Sequence, residues 1–181
     1  MTIIKTTLPE YSMLSGNNKK YDYVDSYQGT LVDKENKLRS IDISQAFLSS
    51  SPEWVGKLFR IRNRIVGLFG LKTSGDIIDR QKTSDKFKCE LGEQIGLFKV
   101  FGKTDDEVVL GEDDKHLNFR VSLFLDKPKD NRIEKRLTIS TTVVFNNWFG
   151  RLYFLPVRPF HKIIVPIMLK EIIKQLEAQK A

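Results

Sequence analysis

The chain holds one cysteine and two histidines in 181 residues. A lone Cys89 rules out an intrachain disulfide, and with it the small secreted scaffolds that depend on such staples. With only His116 and His161, and no His-x-x-x-His or paired-cysteine spacing, the sequence offers no ready zinc site. Neither a metal nor a cofactor is expected. A glycine-rich phosphate loop after a strand is missing, as is a Gly-x-Ser-x-Gly nucleophile elbow. No stretch approaches the ~20 consecutive apolar residues of a membrane span, so none is expected. The N-terminus, Met1-Thr2-Ile3-Ile4-Lys5, lacks the long apolar segment of a secretory signal. Without that signal or disulfides, a reducing cytoplasm is the expected setting.

What is present argues for a packed core. The hydrophobic fraction is 40% with 12 Phe, and the length suits one domain. The net charge of +7 is spread along the chain, without the clustering of a nucleic-acid footprint. It reads as a basic, solvated surface, and no nucleic-acid partner is expected.

Residues 1–20 read as a polar arm, with Pro9 and the run Ser15-Gly16-Asn17-Asn18 marking turns. A single domain would follow over residues 21–181. Its first strand is Tyr21–Val32, with Tyr21, Tyr23, Asp25 and Tyr27 on one face. Ser40 or Asp42 caps a short helix through Phe47 and Leu48. A second helix begins at Ser51-Pro52, where Trp54, Leu58, Ile61, Ile65 and Phe69 form one stripe. From Ile95 the period changes to two. Strands are predicted over Ile95–Phe101, Glu107–Leu110, His116–Leu125 and Arg136–Phe145, joined by polar turns. Consecutive strands with short turns pair antiparallel, and the alternation predicts one covered and one wet face. An aromatic connection, Asn146–Phe154, then leads into an apolar terminal helix ending near Leu176. In that helix Val165, Leu169, Ile172, Ile173 and Leu176 form a stripe suited to lie on a sheet. Phe160, Ile163, Ile164, Ile167 and Met168 point elsewhere and should also be covered. Pro166 between the two sets should kink the helix. The fold class is therefore α+β: an antiparallel meander covered by a long C-terminal helix.

This order resembles the helix-grip superfamily, the START-like or SRPBCC group that includes pollen allergens and polyketide cyclases. The chain is similar, within it, to an uncharacterised family of bacterial proteins. The matching pieces are Asp22–Tyr27, Ser51–Val55 with Leu58 and Arg62-Asn63, Gly111–Ser122, Phe149–Tyr153 and Pro156–His161. The resemblance implies a curved sheet wrapped around the last helix, with a cavity between them. It does not fix an activity, since a shared fold hosts many.

The candidate ligand-binding residues are Trp54, Arg62, Phe69, His116, Tyr153, Arg158 and His161; no catalytic residue is assigned. Arg158 and His161 lie three apart and share a helical face, where with Tyr153 they would offer donors to a polar head group. The other reading is local anchoring of a helix entry rich in proline. His116 follows Asp113 and Asp114, an acid/base arrangement on paper, or simply a histidine that orients a turn. Arg62 borders an apolar stripe and needs a carboxylate, Asp25 being one candidate, or a ligand. Trp54, Phe69 and the aromatic connection read as pocket wall, as core, or as a homodimer contact. The Lys57, Arg60 and Arg64 stripe reads as a solvated helix face before an anionic-lipid or nucleic-acid contact. Cys89 reads as a structural thiol. The leading expectation is a protein that binds a small hydrophobic ligand. The alternatives are a cyclase- or hydratase-type enzyme with His116 or His161 as base, and an accessory protein-interaction domain. The scarcity of inward titratable groups leans away from catalysis.

Overall fold

A computed structural model of the chain describes residues 1–16, 19–49, 87–126 and 133–178. The predicted helix from Ser51-Pro52 to Phe69, with Trp54, Arg62 and the Lys57 stripe, lies outside these residues. The elements run β1 (Ile3–Thr6), β2 (Tyr23–Val32), α1 (Ser40–Ser49), β3 (Gln94–Ile95), β4 (Phe98–Lys103), β5 (Glu107–Asp113), β6 (Leu117–Asp126), β7 (Glu134–Phe145) and α2 (Trp148–Ala178). All seven strands form one antiparallel, curved sheet in the order β1-β2-β7-β6-β5-β4-β3. The α+β class and the long C-terminal helix hold.

The predicted strand Ile95–Phe101 is instead a hairpin. Gly96 adopts φ 58°, and Ile95 pairs with Phe98 across a two-residue turn. Glycine in the first central position is what a type II′ turn requires. In α1, Asp42 reaches back to accept from the Arg39 amide at 2.9 Å, half of a capping box.

The inner face of the sheet carries the core. Tyr27 and Leu31 of β2 face the same way as Leu137 and Ile139 of β7 and Leu123 and Leu125 of β6. Alternation with period two puts all of them on one side. Against this face packs the second half of α2, whose predicted stripe Val165, Leu169, Ile172, Ile173 and Leu176 is buried throughout. Gly29 admits the helix: a Cβ there would meet Ile173 Cδ1 and Ile3 Cδ1, each at 2.6 Å.

The outer face is not the wet surface that the alternation suggests. Ser26, Ser122, Thr138, Ser140 and Thr142 are all buried. Ser26 Oγ donates to Ser140 Oγ at 2.8 Å across the strands, and Thr138 Oγ1 accepts from Gln28 Nε2 at 3.0 Å. The expected N-terminal arm supplies both an edge strand, β1, and a clasp over this face. Buried Glu107 accepts from Ser12 Oγ at 2.6 Å, Ser122 Oγ at 2.5 Å and the Met13 amide at 2.7 Å. Met13 seats beside Gly102, where a Cβ would lie 3.0 Å from its sulfur. Small hydroxyl side chains thus keep the outer face thin enough for the arm to lie flat, while hydrogen bonds to neighbouring side chains replace water.

At the far end of β2 a salt bridge is fully buried. Lys135 Nζ lies 2.5 Å from Asp33 Oδ2, and the Leu38 amide donates to the same oxygen at 2.8 Å. Burial alone pushes the Asp33 carboxyl up. The Lys135 hydrogen bond and charge, with the backbone donors of Leu38 and Lys37, outweigh it and hold the group below the ordinary carboxylate range. A depressed folded pKa means that the pair's stability is present above the unfolded value of about 4 and is lost as pH falls through the lower folded value. Asp33→Ala should cost about 3–5 kcal/mol in urea unfolding, because it strands a buried ammonium. The stability gap between wild type and Asp33→Asn should narrow on acidification, and a gap independent of pH would contradict the pairing.

Candidate functional site

Residues two apart on a strand share a face, so Tyr23 and Asp25 both point inward from β2. Register sets Tyr23 opposite Val143 and Asp25 opposite Thr141 of β7. Val121 of β6 stands on the other side of Thr141. An acid buried in this largely apolar face must find donors, because an unpaired buried charge is costly.

Two donors reach it. Tyr23 Oη donates to Asp25 Oδ2 at 2.6 Å, and His161 Nδ1 lies 3.0 Å from the same oxygen. A carboxylate only accepts, so Nδ1 carries the proton and Nε2 faces away from it. Asp25's side chain is 3% exposed and that of His161 20%, so the pair sits just inside the surface with the imidazole on the outer side. Asp25 Oδ1 is buried without a hydrogen-bond partner among the described residues, and so is Thr141 Oγ1. Two unpaired polar atoms stand at facing positions of one sheet face.

Aromatic packing holds this arrangement. The Tyr23 ring meets Phe154 edge-on at 4.8 Å and His161 at 6.2 Å. Arg158 sits one helical turn before His161 and places its guanidinium 5.4 Å from the centre of the Tyr23 ring. Burial first, then the Asp25 hydrogen bond and negative charge, push the Tyr23 hydroxyl far above the ordinary tyrosine range; Arg158 opposes them weakly.

The chain reaches this site because α2 starts earlier than its prolines suggest. The helix begins at Trp148, so the expected aromatic connection is its first turns. Asn147 caps it, its Oδ1 accepting from the Gly150 amide at 3.0 Å. Gly150 then passes so near the His116 carbonyl that a Cβ would sit 2.1 Å from that oxygen. α2 continues as one element through Pro156, Pro159 and Pro166. Pro156 and Pro159 are exposed, on the side where freed carbonyls meet water.

Of the expected site residues, the fold brings Arg158 and His161 together around Tyr23 and Asp25. Tyr153 is half-buried in the adjoining cluster of Tyr23, Leu117, Val143 and Phe154. His116 belongs elsewhere. Its Nδ1 contacts the Asn147 side chain at about 3.2–3.3 Å and its ring lies 4.9 Å from Phe149, so it ties the β5–β6 turn to the start of α2. That is the turn-orienting role. Trp54, Arg62 and Phe69 lie outside the described residues, and so does the pairing of Arg62 with Asp25. Tyr23 and Thr141 were not singled out. The available signal was Asp25 itself, an acid in the middle of the Tyr21-Tyr23-Asp25-Tyr27 face.

No cluster of three or more His, Cys, Asp or Glu able to hold a metal occurs among the described residues. Cys89 is fully buried, and burial raises its thiol above the ordinary range, which makes it a poor nucleophile.

A folded pKa above the unfolded value means that the Tyr23 contribution to stability is full below about pH 10 and is lost as pH rises through the higher folded value. Tyr23→Phe should cost about 1.5–3 kcal/mol at neutral pH, as a buried carboxylate loses a donor. It should also flatten the fall in stability above pH ~10. Equal alkaline slopes in the two proteins, measured by urea unfolding, would contradict this placement.

A family model described as "Protein of unknown function (DUF2867)" matches residues 18–168. No curated protein matches the chain, and no solved structure does.

Proposed function

The chain belongs to the DUF2867 family, whose description carries no activity, and we propose from the site itself that it binds a small hydrophobic ligand bearing a hydrogen-bond donor. The ligand lies between the inner face of the sheet and the first half of α2. The observation that carries this reading is that Asp25 Oδ1 and Thr141 Oγ1, at facing positions of β2 and β7, are buried without a hydrogen-bond partner among the described residues. Each costs about 1–3 kcal/mol if left unpaired. A hydroxyl or amine on a bound molecule would satisfy Asp25, and Thr141 can donate or accept. Partly buried apolar side chains nearby, Phe119, Ile164 and Val157, would meet the rest of the molecule. Ligand sites commonly combine such walls with a few convergent polar groups. This reading takes the fold as helix-grip, START-like; the antiparallel sheet against a C-terminal helix supports it.

A second reading draws on the His161–Asp25 pair. A carboxylate fixing Nδ1 leaves Nε2 as the basic nitrogen, the orientation that a general base requires. Under it, a cyclase- or hydratase-type proton transfer would use His161, with Tyr23 and Asp25 as positioning residues. His116, tied to Asn147 and Phe149, does not suit that role.

Thr141→Val separates binding from mere core packing. It replaces an unpaired hydroxyl by a group of the same shape, so the urea midpoint should hold or rise. Native mass spectrometry of the protein as purified should show a bound small molecule in wild type that is lost in Thr141→Val and in Asp25→Asn. A wild type free of any adduct, and unable to bind across a panel of hydrophobic alcohols and amines, would refute the proposal.

A further inference from the structure

The outer side of α2 changes character along its length. Over the second half it carries Lys170 and Lys174 in solvent. Over the first half, Trp148, Leu152, Leu155, Pro159 and Ile163 occupy the side opposite the inward-facing Gly150, Phe154 and His161, as a period of 3.6 dictates. Trp148 is 73% exposed, Leu155 62% and Ile163 58%. An apolar strip on one half of a helix, with charge taking its place on the other half, is a built surface and not scattered exposure.

Charge indicates what meets it. No Asp or Glu occurs between Glu134 and Glu171, while Arg151, Arg158 and Lys162 run along one edge of the apolar strip. A helix with an apolar face bordered by cations and carrying an exposed Trp is suited to lie in the plane of an anionic bilayer. The α2 helix is long and apolar enough to cross a membrane by length and composition. Its inner side, however, is committed to the sheet through Val165, Leu169, Ile172 and Ile173. Crossing would unpack the core, whereas lying on the surface leaves the fold intact.

We propose that the first half of α2 seats the protein on an anionic lipid surface. Trp148, Leu155 and Ile163 enter the boundary between headgroups and acyl chains, and Arg151 and Lys162 lie among the phosphates. Arg151 also touches Asp22 at 3.4 Å, so Lys162 gives the cleaner charge test.

The test is co-sedimentation of the full chain with phosphatidylcholine vesicles, plain or doped with phosphatidylglycerol. Binding should require the anionic lipid and fall steeply at about 1 M salt, where the Debye length is ~3 Å. Lys162→Glu should weaken partitioning about five-fold or more. Leu155→Gln with Ile163→Gln should weaken it by on the order of ten-fold, with an unchanged circular dichroism spectrum, since both side chains are exposed. Failure of wild type to sediment with anionic vesicles overturns the proposal, as does equal binding to neutral lipid or indifference to the double variant. A dimer in sedimentation equilibrium that the double variant dissolves, without vesicle binding, assigns the face to a second copy of the chain and overturns it too.

Discussion

One buried carboxylate sets the terms for this protein. Asp25 stands in the middle of an aromatic strand face, where water cannot solvate it. Its donors come from two elements far apart in sequence, Tyr23 on β2 and His161 on α2. Helix and sheet are therefore joined at this point by polar contact as well as by apolar packing. The rest of the architecture keeps the two elements in position: Gly29 lets α2 approach, Asn147 starts the helix early enough to reach, and Gly150 threads past the His116 carbonyl.

Two other buried acids hold parts of the fold together. Glu107 is saturated by Ser12, Ser122 and the Met13 amide, and it holds the N-terminal arm against the outer face. Asp33 pairs with Lys135 and with the Leu38 amide, tying the end of β2 to β7. A satisfied network rigidifies a fold, while a partly satisfied one leaves capacity for something else. Asp25 Oδ1 and Thr141 Oγ1 face each other across β2 and β7 without a hydrogen-bond partner among the described residues, and the proposed ligand site rests on that pairing.

Much of the frame was legible because periodicity is local. Alternation alone predicts strands over His116–Leu125 and Arg136–Phe145, observed as Leu117–Asp126 and Glu134–Phe145, and 3.6-residue spacing predicts the helical stripe from Val165 to Leu176. What escaped depended on partners distant in sequence. Ser26, Ser140 and Thr142 look solvent-facing by type, yet all three are buried, Ser26 bonded to Ser140 across the strands. Pro156 and Pro159 suggest a late helix entry, and the cap at Asn147, two turns earlier, outweighs them. Half of the site was visible as Arg158 and His161 at one-turn spacing. Tyr23 and Thr141 were not, because the pairing of β2 with β7 spans over a hundred residues. Of Phe160, Ile163, Ile164, Ile167 and Met168, all expected to be covered, Met168 is buried and Ile164 packs against the core, while Phe160, Ile163 and Ile167 are exposed.

The account stands or falls on whether Asp25 and His161 act as one unit across the helix–sheet junction. A double-mutant cycle with Asp25→Ala and His161→Ala, followed by urea unfolding, measures this directly. Residues that share a buried hydrogen bond should show a coupling of about 1 kcal/mol or more. Additivity within about 0.3–0.5 kcal/mol would mean that the two do not interact, and would contradict the site as described.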